Sequence, residues 1–425
     1  MSEIQRKYHD MEAQVEKKDG LVVVRDIAAE VKNMLDFKMN AVMRLVESAE
    51  QAAVSAPRDG NVVPKYYPSQ RFDVALDGKM SETGQEPLLL PNRHFDHLAV
   101  NINFSAVLLP AGVKEIDREV AAGIQWSQYL DLLFVNNYES DSSLSWQYYG
   151  ATSGFLRRFP AISWPPIEER SFSTGKSANR VVRDVYDFRI SNWFVGAANS
   201  PKDLAILVDI DCYVSERNKR LAVTTVKTIL DTLGPNDYVN VYRYGDTAEE
   251  IVQCFKDSLV QASPENIQEL KIATSSMKHE EMPKNISAAL GTAFEILHKY
   301  NKTVQGSQCN QAIMLITTDN AGLPTEVIKR YNSPHMPVRI FTYLIGGDKS
   351  PELHNVACSN KGFYARITEL EDIRSKVFEY IKVLARPMVL YQHEHPIHWS
   401  PAYVGGKVSK LKTFAFILYP SYMQT

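Results

Sequence analysis

Two acidic residues, Asp209 and Asp211, stand just after the continuous apolar run Leu204–Val208. A third, Asp319, follows the apolar run Ala312–Ile316 and two threonines. Carboxylates gathered past the ends of buried strands can share a divalent cation, because Ca²⁺ and Mg²⁺ take oxygen ligands and Ca²⁺ tolerates an irregular shell. Other chemistry is poorly framed. No G-x-S-x-G or H-E-x-x-H surrounds the Ser, His and Asp residues, which argues against a hydrolase. No G-x-G-x-x-G or G-x-x-x-x-G-K-[ST] follows the first apolar run, which argues against a nucleotide site. The four cysteines, at 212, 254, 309 and 358, form no C-x-x-C pair, so zinc and redox motifs are unsupported. His393, His395 and His398 cluster near the end and read as a solvated loop.

Bulk properties narrow the partners. With 47 basic and 50 acidic residues the net charge is −3. There is no basic face for nucleic acid and no polybasic run for a membrane surface. No apolar stretch reaches the roughly 18 residues that a membrane-spanning helix needs. The opening Met1-Ser2-Glu3-Ile4-Gln5-Arg6 has no apolar signal region behind it, so the literal expectation is a soluble chain without a route to secretion. Asn103, Asn285 and Asn301 begin N-x-[ST] sequons, which matter only for a secreted chain.

The acidic residues need elements to hold them. Residues 4–56 read as a long helix, interrupted at Asp19-Gly20 and resumed by Val24, Ile27, Val31 and Leu35. Residues 57–200 mix short apolar runs with prolines and aromatics and hold four of the five tryptophans, which fits a mixed α/β region with an aromatic core. From Pro201 strands and helices alternate. Strands are predicted at 204–208, 238–244, 250–254, 312–316, 338–344 and 363–367. Helices are predicted at 217–233, 265–277, 286–300, 324–331 and 370–384. Alternation of this kind implies a doubly wound parallel sheet, whose ligands sit outside the carboxyl ends of the strands. Asp209 and Asp319 both fall there.

A strand ending in Asp, with a second Thr-Asp after a later strand, resembles the von Willebrand factor A fold. The segments Ser200–Asp209, Ile229–Gly234, Leu259–Ala262, Cys309–Thr317, Val338–Gly346, Ala357–Phe363 and Val383–Pro387 resemble the alpha-2/delta auxiliary subunits of voltage-gated calcium channels. So do Ser145–Gly150, Tyr186–Arg189 and Glu30–Glu50 upstream. The wording is nearest the third and fourth members of that family. The resemblance implies an α/β architecture in which a Rossmann-like A domain is inserted in a mixed α/β Cache-type domain with a long amino-terminal helix. Residues 1–200 would lead that domain, 201–385 would be the A domain, and 386–425 would begin the return. The early stop and missing signal would then reflect a truncated isoform or a fragment.

By the same resemblance the chain would be a non-enzymatic auxiliary subunit at the extracellular face of the plasma membrane. It would bind a pore-forming calcium-channel subunit and support surface expression and gating. The alternatives are a soluble A-domain adhesion or scaffold protein, or a non-functional truncated isoform. The family's cation loop reads D-x-S-x-S, whereas this one reads Asp209-Ile-Asp211-Cys-Tyr213-Val-Ser215. Asp211 and Tyr213 fall on the hydroxyl positions, and the loop Met277–Pro283 holds no threonine. Two readings follow: a rebuilt, more acidic site of Asp209, Asp211 and Asp319 that binds Ca²⁺ weakly, on the order of 10⁻⁴–10⁻³ M, or a dead site with retained carboxylates. Ser191 stands where the family's drug and amino-acid pocket has its carboxylate-binding arginine, and a hydroxyl cannot replace a bidentate guanidinium. Cys309 matches the family cysteine that is disulfide-bonded to the delta piece.

Overall fold

The computed structural model describes residues 19–56, 64–69, 89–110, 112–163, 168–169, 181–182, 186–198, 200–279, 283–318, 324–391, 403–405 and 408–412. The expected helical turns over 4–18, Asp319 and the three late histidines lie outside the described residues. The chain divides into two compact units, residues 1–48 and 49–425.

The first unit is described as the greater part of helix α1 (Gly20–Ser55). Its start is set by Asp19, whose Oδ1 accepts from the Leu21 amide at 3.0 Å. A short side-chain acceptor satisfies an amide that has no partner in the first turn. Asp19-Gly20 therefore begins a helix.

The second unit opens with strands β1 (Leu90–Asn92), β2 (Leu98–Asn101) and β3 (Ala106–Leu108), then helices α2 (Arg118–Ser127) and α3 (Leu130–Ser140). Strands β4 (Gln147–Gly150), β5 (Leu156–Phe159), β6 (Ala161–Ile162), β7 (Glu168–Glu169) and β8 (Val181–Val182) and helix α4 (Asn192–Ala198) follow. They form small antiparallel sheets in the orders β1-β2-β6, β3-β5-β4 and β7-β8. Aromatic packing holds this region, as expected. Phe95 meets Trp146 edge-on at 5.0 Å, and Phe188 stacks on Trp193 at 5.7 Å. The buried Arg157 guanidinium donates to Ser127 Oγ, Ser105 Oγ and the Ile124 carbonyl, at 2.7–2.9 Å.

The A domain then runs β9 (Lys202–Asp209), α5 (Glu216–Asp231), β10 (Tyr238–Tyr244), β11 (Ala248–Glu250) and β12 (Val260–Gln261). It continues through α6 (Pro264–Ser276), α7 (Ile286–Thr303), β13 (Asn310–Thr317) and α8 (Thr325–Asn332). It ends with β14 (Val338–Ile345), α9 (Pro351–Ser359), β15 (Tyr364–Ile367) and α10 (Ile373–Tyr391). The sheet order is β11-β10-β9-β13-β14-β15, with β12 also on β10. Strands β10, β9, β13, β14 and β15 are parallel, and β9 is flanked by β10 and β13 along its length. Two short strands, β16 (Tyr403–Gly405) and β17 (Val408–Lys412), pair beyond it.

Every residue of β9 is buried, so its apolar run serves two faces. Leu204, Ile206 and Val208 join the core with α5 and α10, through Leu221, Val226, Ile229, Val377 and Ile381. Ala205 and Leu207 join the opposite core with α7, through Leu290, Phe294 and Leu297. Leu108, Leu156, Phe188 and Phe194, all upstream of the A domain, belong to the first of these cores. These four side chains thus pack into the core of the doubly wound sheet within the second unit.

One strand expectation needs correction. Residues 250–254 do not form a strand running into Cys254. The strand is β11 at Ala248–Glu250, antiparallel to β10, and Gln253–Phe255 is a 3-10 turn. The turn at Gly245-Asp246 is tight enough to make a hairpin, which places the partner strand immediately after it.

The entry of β9 is fixed by charge. Lys202 Nζ lies 2.6 Å from Asp237 Oδ2, and both side chains are at most 5% exposed. Asp237 also accepts from the Lys202 and Gly234 amides, at 3.0 and 2.8 Å. Removing one partner of a buried ion pair typically costs about 3–5 kcal/mol, because the other charge stays buried. Asp237→Ala is expected to lower the stability of the chain by that amount, about 3–5 kcal/mol, read as a lower urea midpoint in far-ultraviolet circular dichroism. An unchanged midpoint contradicts this account of how β9 is anchored.

Candidate functional site

Asp209 is the last residue of β9 and is fully buried. Its position follows from the parallel sheet: the strand's apolar run ends where β10 and β13 also end, in register Tyr244↔Asp209 and Ile316↔Val208. The chain turns at once into a 3-10 segment, Ile210–Tyr213, and Asp209 Oδ1 caps it by accepting from the Asp211 amide at 2.9 Å. Asp209 Oδ2 accepts from the Thr317 hydroxyl at 2.9 Å, from the end of the neighbouring β13.

The same oxygen lies 3.2 Å from Lys284 Nζ, and Asp211 Oδ2 lies 2.6 Å from it. The ammonium therefore sits between the two carboxylates that the sequence singles out. The Lys284 side chain is 26% exposed, against 33% for Asp211 and 1% for Asp209. Burial alone would lower the Lys284 pKa. The hydrogen bond to Asp211, then the charge and hydrogen bond of Asp209, outweigh it and hold the ammonium above its ordinary value. His279 Nδ1 is 3.4 Å from the Ile210 carbonyl and 3.8 Å from Asp211 Oδ1.

Lys284 is placed by the residue after it. Asn285 caps α7, its Oδ1 accepting from the Ala288 amide at 3.0 Å, and its own amide donates to the Gly245 carbonyl at 2.7 Å. The cap ties the start of α7 to the turn after β10, which brings residue 284 over the end of β9. The loop over 277–283, where the family resemblance implies a threonine, holds none. The cation-bearing residue stands one position beyond it, and Lys-Asn before an apolar-periodic helix is a readable cap signal.

The other loop positions have different partners. The Tyr213 hydroxyl donates to the Thr274 carbonyl at 3.1 Å, and burial raises its pKa. Ser215 is the N-cap of α5, accepting from the Asn218 amide at 3.2 Å. Among the described residues Asp209, Asp211 and Thr317 come together, and Asp319 lies outside them.

This donor set does not fit a divalent ion. Ca²⁺ holds its oxygens at about 2.3–2.6 Å and Mg²⁺ at about 2.0–2.1 Å. An ion bridging Asp209 Oδ2 and Asp211 Oδ2 would fall against the Lys284 ammonium that already bridges them.

The second singled-out region is a hydrogen-bonded turn. Arg189 is buried, its guanidinium forked onto Asp187 at 2.9 and 2.8 Å and set 4.5 Å over the Phe378 ring. Ser191 Oγ is hydrogen-bonded to the Tyr186 hydroxyl. The guanidinium is thus engaged by the chain's own carboxylate. All four cysteines are free, with Cys212 buried and Cys254, Cys309 and Cys358 exposed.

Comparison with known proteins agrees with this fold. Residues 46–164 match the VWA N-terminal family, and residues 203–379 match the von Willebrand factor type A domain. The chain is 39% identical over 413 residues to voltage-dependent calcium channel subunit alpha-2/delta-4 of Homo sapiens, covering 95% of this chain and 35% of that protein. It is 37% identical over 411 residues to alpha-2/delta-3 of Rattus norvegicus, covering 96% and 37%. The chain thus spans about a third of the length of the curated relatives it matches. Among solved structures, a von Willebrand factor type A protein from Catenulispora acidiphila is 15% identical at a TM-score of 0.37, covering 44% of this chain and 43% of that one. Proximal thread matrix protein 1 from mussel byssus, described with a zinc occupied MIDAS motif, is 17% identical at a TM-score of 0.32, covering 44% and 46%.

Thiol chemistry tests the packing of the loop. Burial, then the neighbouring Asp209 charge, push the Cys212 thiol pKa well up, so its reactive thiolate is scarce. Alkylation of the native chain is expected to label Cys254, Cys309 and Cys358, with Cys212 labelled only after denaturation. Rapid native labelling of Cys212 in peptide mass mapping contradicts the buried loop.

Proposed function

The chain is homologous to the alpha-2/delta subunits of voltage-dependent calcium channels and carries their von Willebrand factor type A domain, and on that premise we propose that it acts as a non-enzymatic auxiliary subunit of such a channel. Its partner is a pore-forming subunit, met at the extracellular face of the plasma membrane, and its effect is on surface expression and gating. The observation that supports this most is the extent of the match. Identity of 37–39% runs through both the VWA N-terminal and A-domain regions and 95% or more of the chain. Among the described residues no helix is long and apolar enough to cross a membrane.

The A-domain surface best suited to that contact is the carboxyl edge of its sheet. Asp211 and Lys284 are partly exposed there on loops that the rigid sheet positions. Among the described residues two carboxylates outnumber the one ammonium there, which suits a cationic group on the partner. The proposed contact puts no step on a bound ion. Ca²⁺ at Asp209, Asp211 and Asp319 would first have to displace Lys284.

The remaining features fit a longer extracellular protein. We propose that residues 1–200 and 386–425 are the leading and returning parts of a Cache-type domain around the A domain of 201–385. The core shared by Leu108, Leu156 and Phe188 with the A domain supports this. Asn103, Asn285 and Asn301 are exposed and are the proposed glycan acceptors. The Asn285 cap uses only the side-chain oxygen, leaving its nitrogen for the sugar. Cys309 is the proposed disulfide partner of a segment elsewhere in the longer protein, consistent with its exposed thiol.

Co-expression with a set of voltage-gated calcium-channel pore-forming subunits tests the reading. The chain is expected to co-precipitate with at least one of them, and Asp211→Lys is expected to weaken that association about tenfold, as loss of a complementary charge does. Absence of association with every pore-forming subunit, with the chain folded and at the cell surface, refutes it.

A further inference from the structure

We propose that Lys284 takes the place of the divalent cation in this A domain, so that a tethered ammonium holds the end of β9 together and the site needs no ion. The geometry carries the inference. Asp209 is a buried carboxylate, and a buried charge is tolerated only when paired and hydrogen-bonded. Its Oδ1 takes the Asp211 amide, and its Oδ2 takes the Thr317 hydroxyl and the Lys284 ammonium. Asp211, the second carboxylate of the loop, closes on the same ammonium at 2.6 Å. One cation thus bridges two carboxylates from one loop while a hydroxyl from the next strand braces the buried one.

The remaining loop residues agree. Two loop positions that could have added oxygens have other partners among the described residues: the Tyr213 hydroxyl is bonded to Thr274, and Ser215 caps α5. An ammonium has three donors and asks for fewer acceptors than an ion that takes six to eight oxygens. Among the described residues the site offers two carboxylates and one hydroxyl, fewer oxygens than Ca²⁺ takes and enough for a lysine.

The tether changes the thermodynamics. A free ion binds in proportion to its concentration and stabilises only when present. A lysine fixed beside the Asn285 cap is present in every folded molecule. The loops that meet at Asp209, from β9, from the start of α7 and from β13, would then stay assembled in chelator. This holds for the chain alone and does not depend on the channel reading.

The test compares the wild-type chain with Lys284→Gln and Lys284→Arg, in chelator and with Ca²⁺ or Mg²⁺ at about 10 mM, well above the weakest extracellular Ca²⁺ affinities. Differential scanning fluorimetry and calorimetry are the readouts. Wild type and Lys284→Arg are expected to melt at the same temperature with and without ion. Lys284→Gln, whose amide oxygen can add to the two carboxylates, is expected to melt lower in chelator and to regain at least about 3 °C with Ca²⁺, as ligand linkage gives for a domain of this size. A wild-type chain that gains as much as Lys284→Gln overturns the proposal, and so does a folded Lys284→Gln that binds neither ion. Where Lys284→Gln does not fold, calorimetry on wild type decides alone. No binding upholds the proposal, and binding at one ion per chain that Asp211→Ala abolishes overturns it.

Discussion

The burial of one carboxylate, Asp209, is the constraint on which the A domain's carboxyl edge depends. The residue ends a strand whose every position is buried, with parallel neighbours on both sides. Such a strand is apolar through its middle, from Leu204 to Val208, and the polar group that follows this run is delivered into the crevice between loops. The Asp211 amide of its own turn meets one oxygen, and the other is held by groups that come to it from other elements. Thr317 arrives from β13, and Lys284 arrives from the cap of α7. Three segments far apart in sequence are therefore coupled through a single carboxylate.

The same arrangement explains how the surface is built for contact. The cores on the two faces of the sheet fix the strand ends, and the Lys202–Asp237 pair fixes the opposite end of β9. Asp211 and Lys284 then lie on short loops between rigid elements, partly exposed and already paired. For the proposed partner, side chains already held in this way need less ordering on binding, which favours specific association. In the proposed function, homology to alpha-2/delta subunits suggests the class of partner, and this edge is the proposed surface.

Much of this was legible in the sequence. The run Leu204–Val208 announces a strand buried on both faces, and Ala312–Ile316 a second, so the sheet and the place of Asp209 followed directly. The segment matches to the alpha-2/delta family were likewise readable. Strand β11 begins earlier than the sequence pattern suggests because a three-residue turn, Gly245–Thr247, suffices there, while the apolar Ile251 and Val252 lie beyond the strand. Lys284 was missed for a different reason. A charged lysine is no metal ligand, so nothing in the family's ligand pattern points to it. Its role depends on where Asn285 starts α7, a cap visible in the sequence, and on how that cap meets the turn after β10, which is a tertiary fact. The roles of Tyr213 and Ser215 were also hidden, since their partners Thr274 and Asn218 are set by packing and helix capping.

The central claim is that an ammonium, and not an ion, neutralises the carboxylates at the end of β9. Crystals of the chain grown with Mn²⁺ in excess, and measured near the manganese absorption edge, address it directly. The account predicts continuous density from Lys284 to Asp209 and Asp211, with no anomalous peak between the two carboxylates. An anomalous peak bridging Asp209 and Asp211, with the Lys284 side chain turned away, would contradict it.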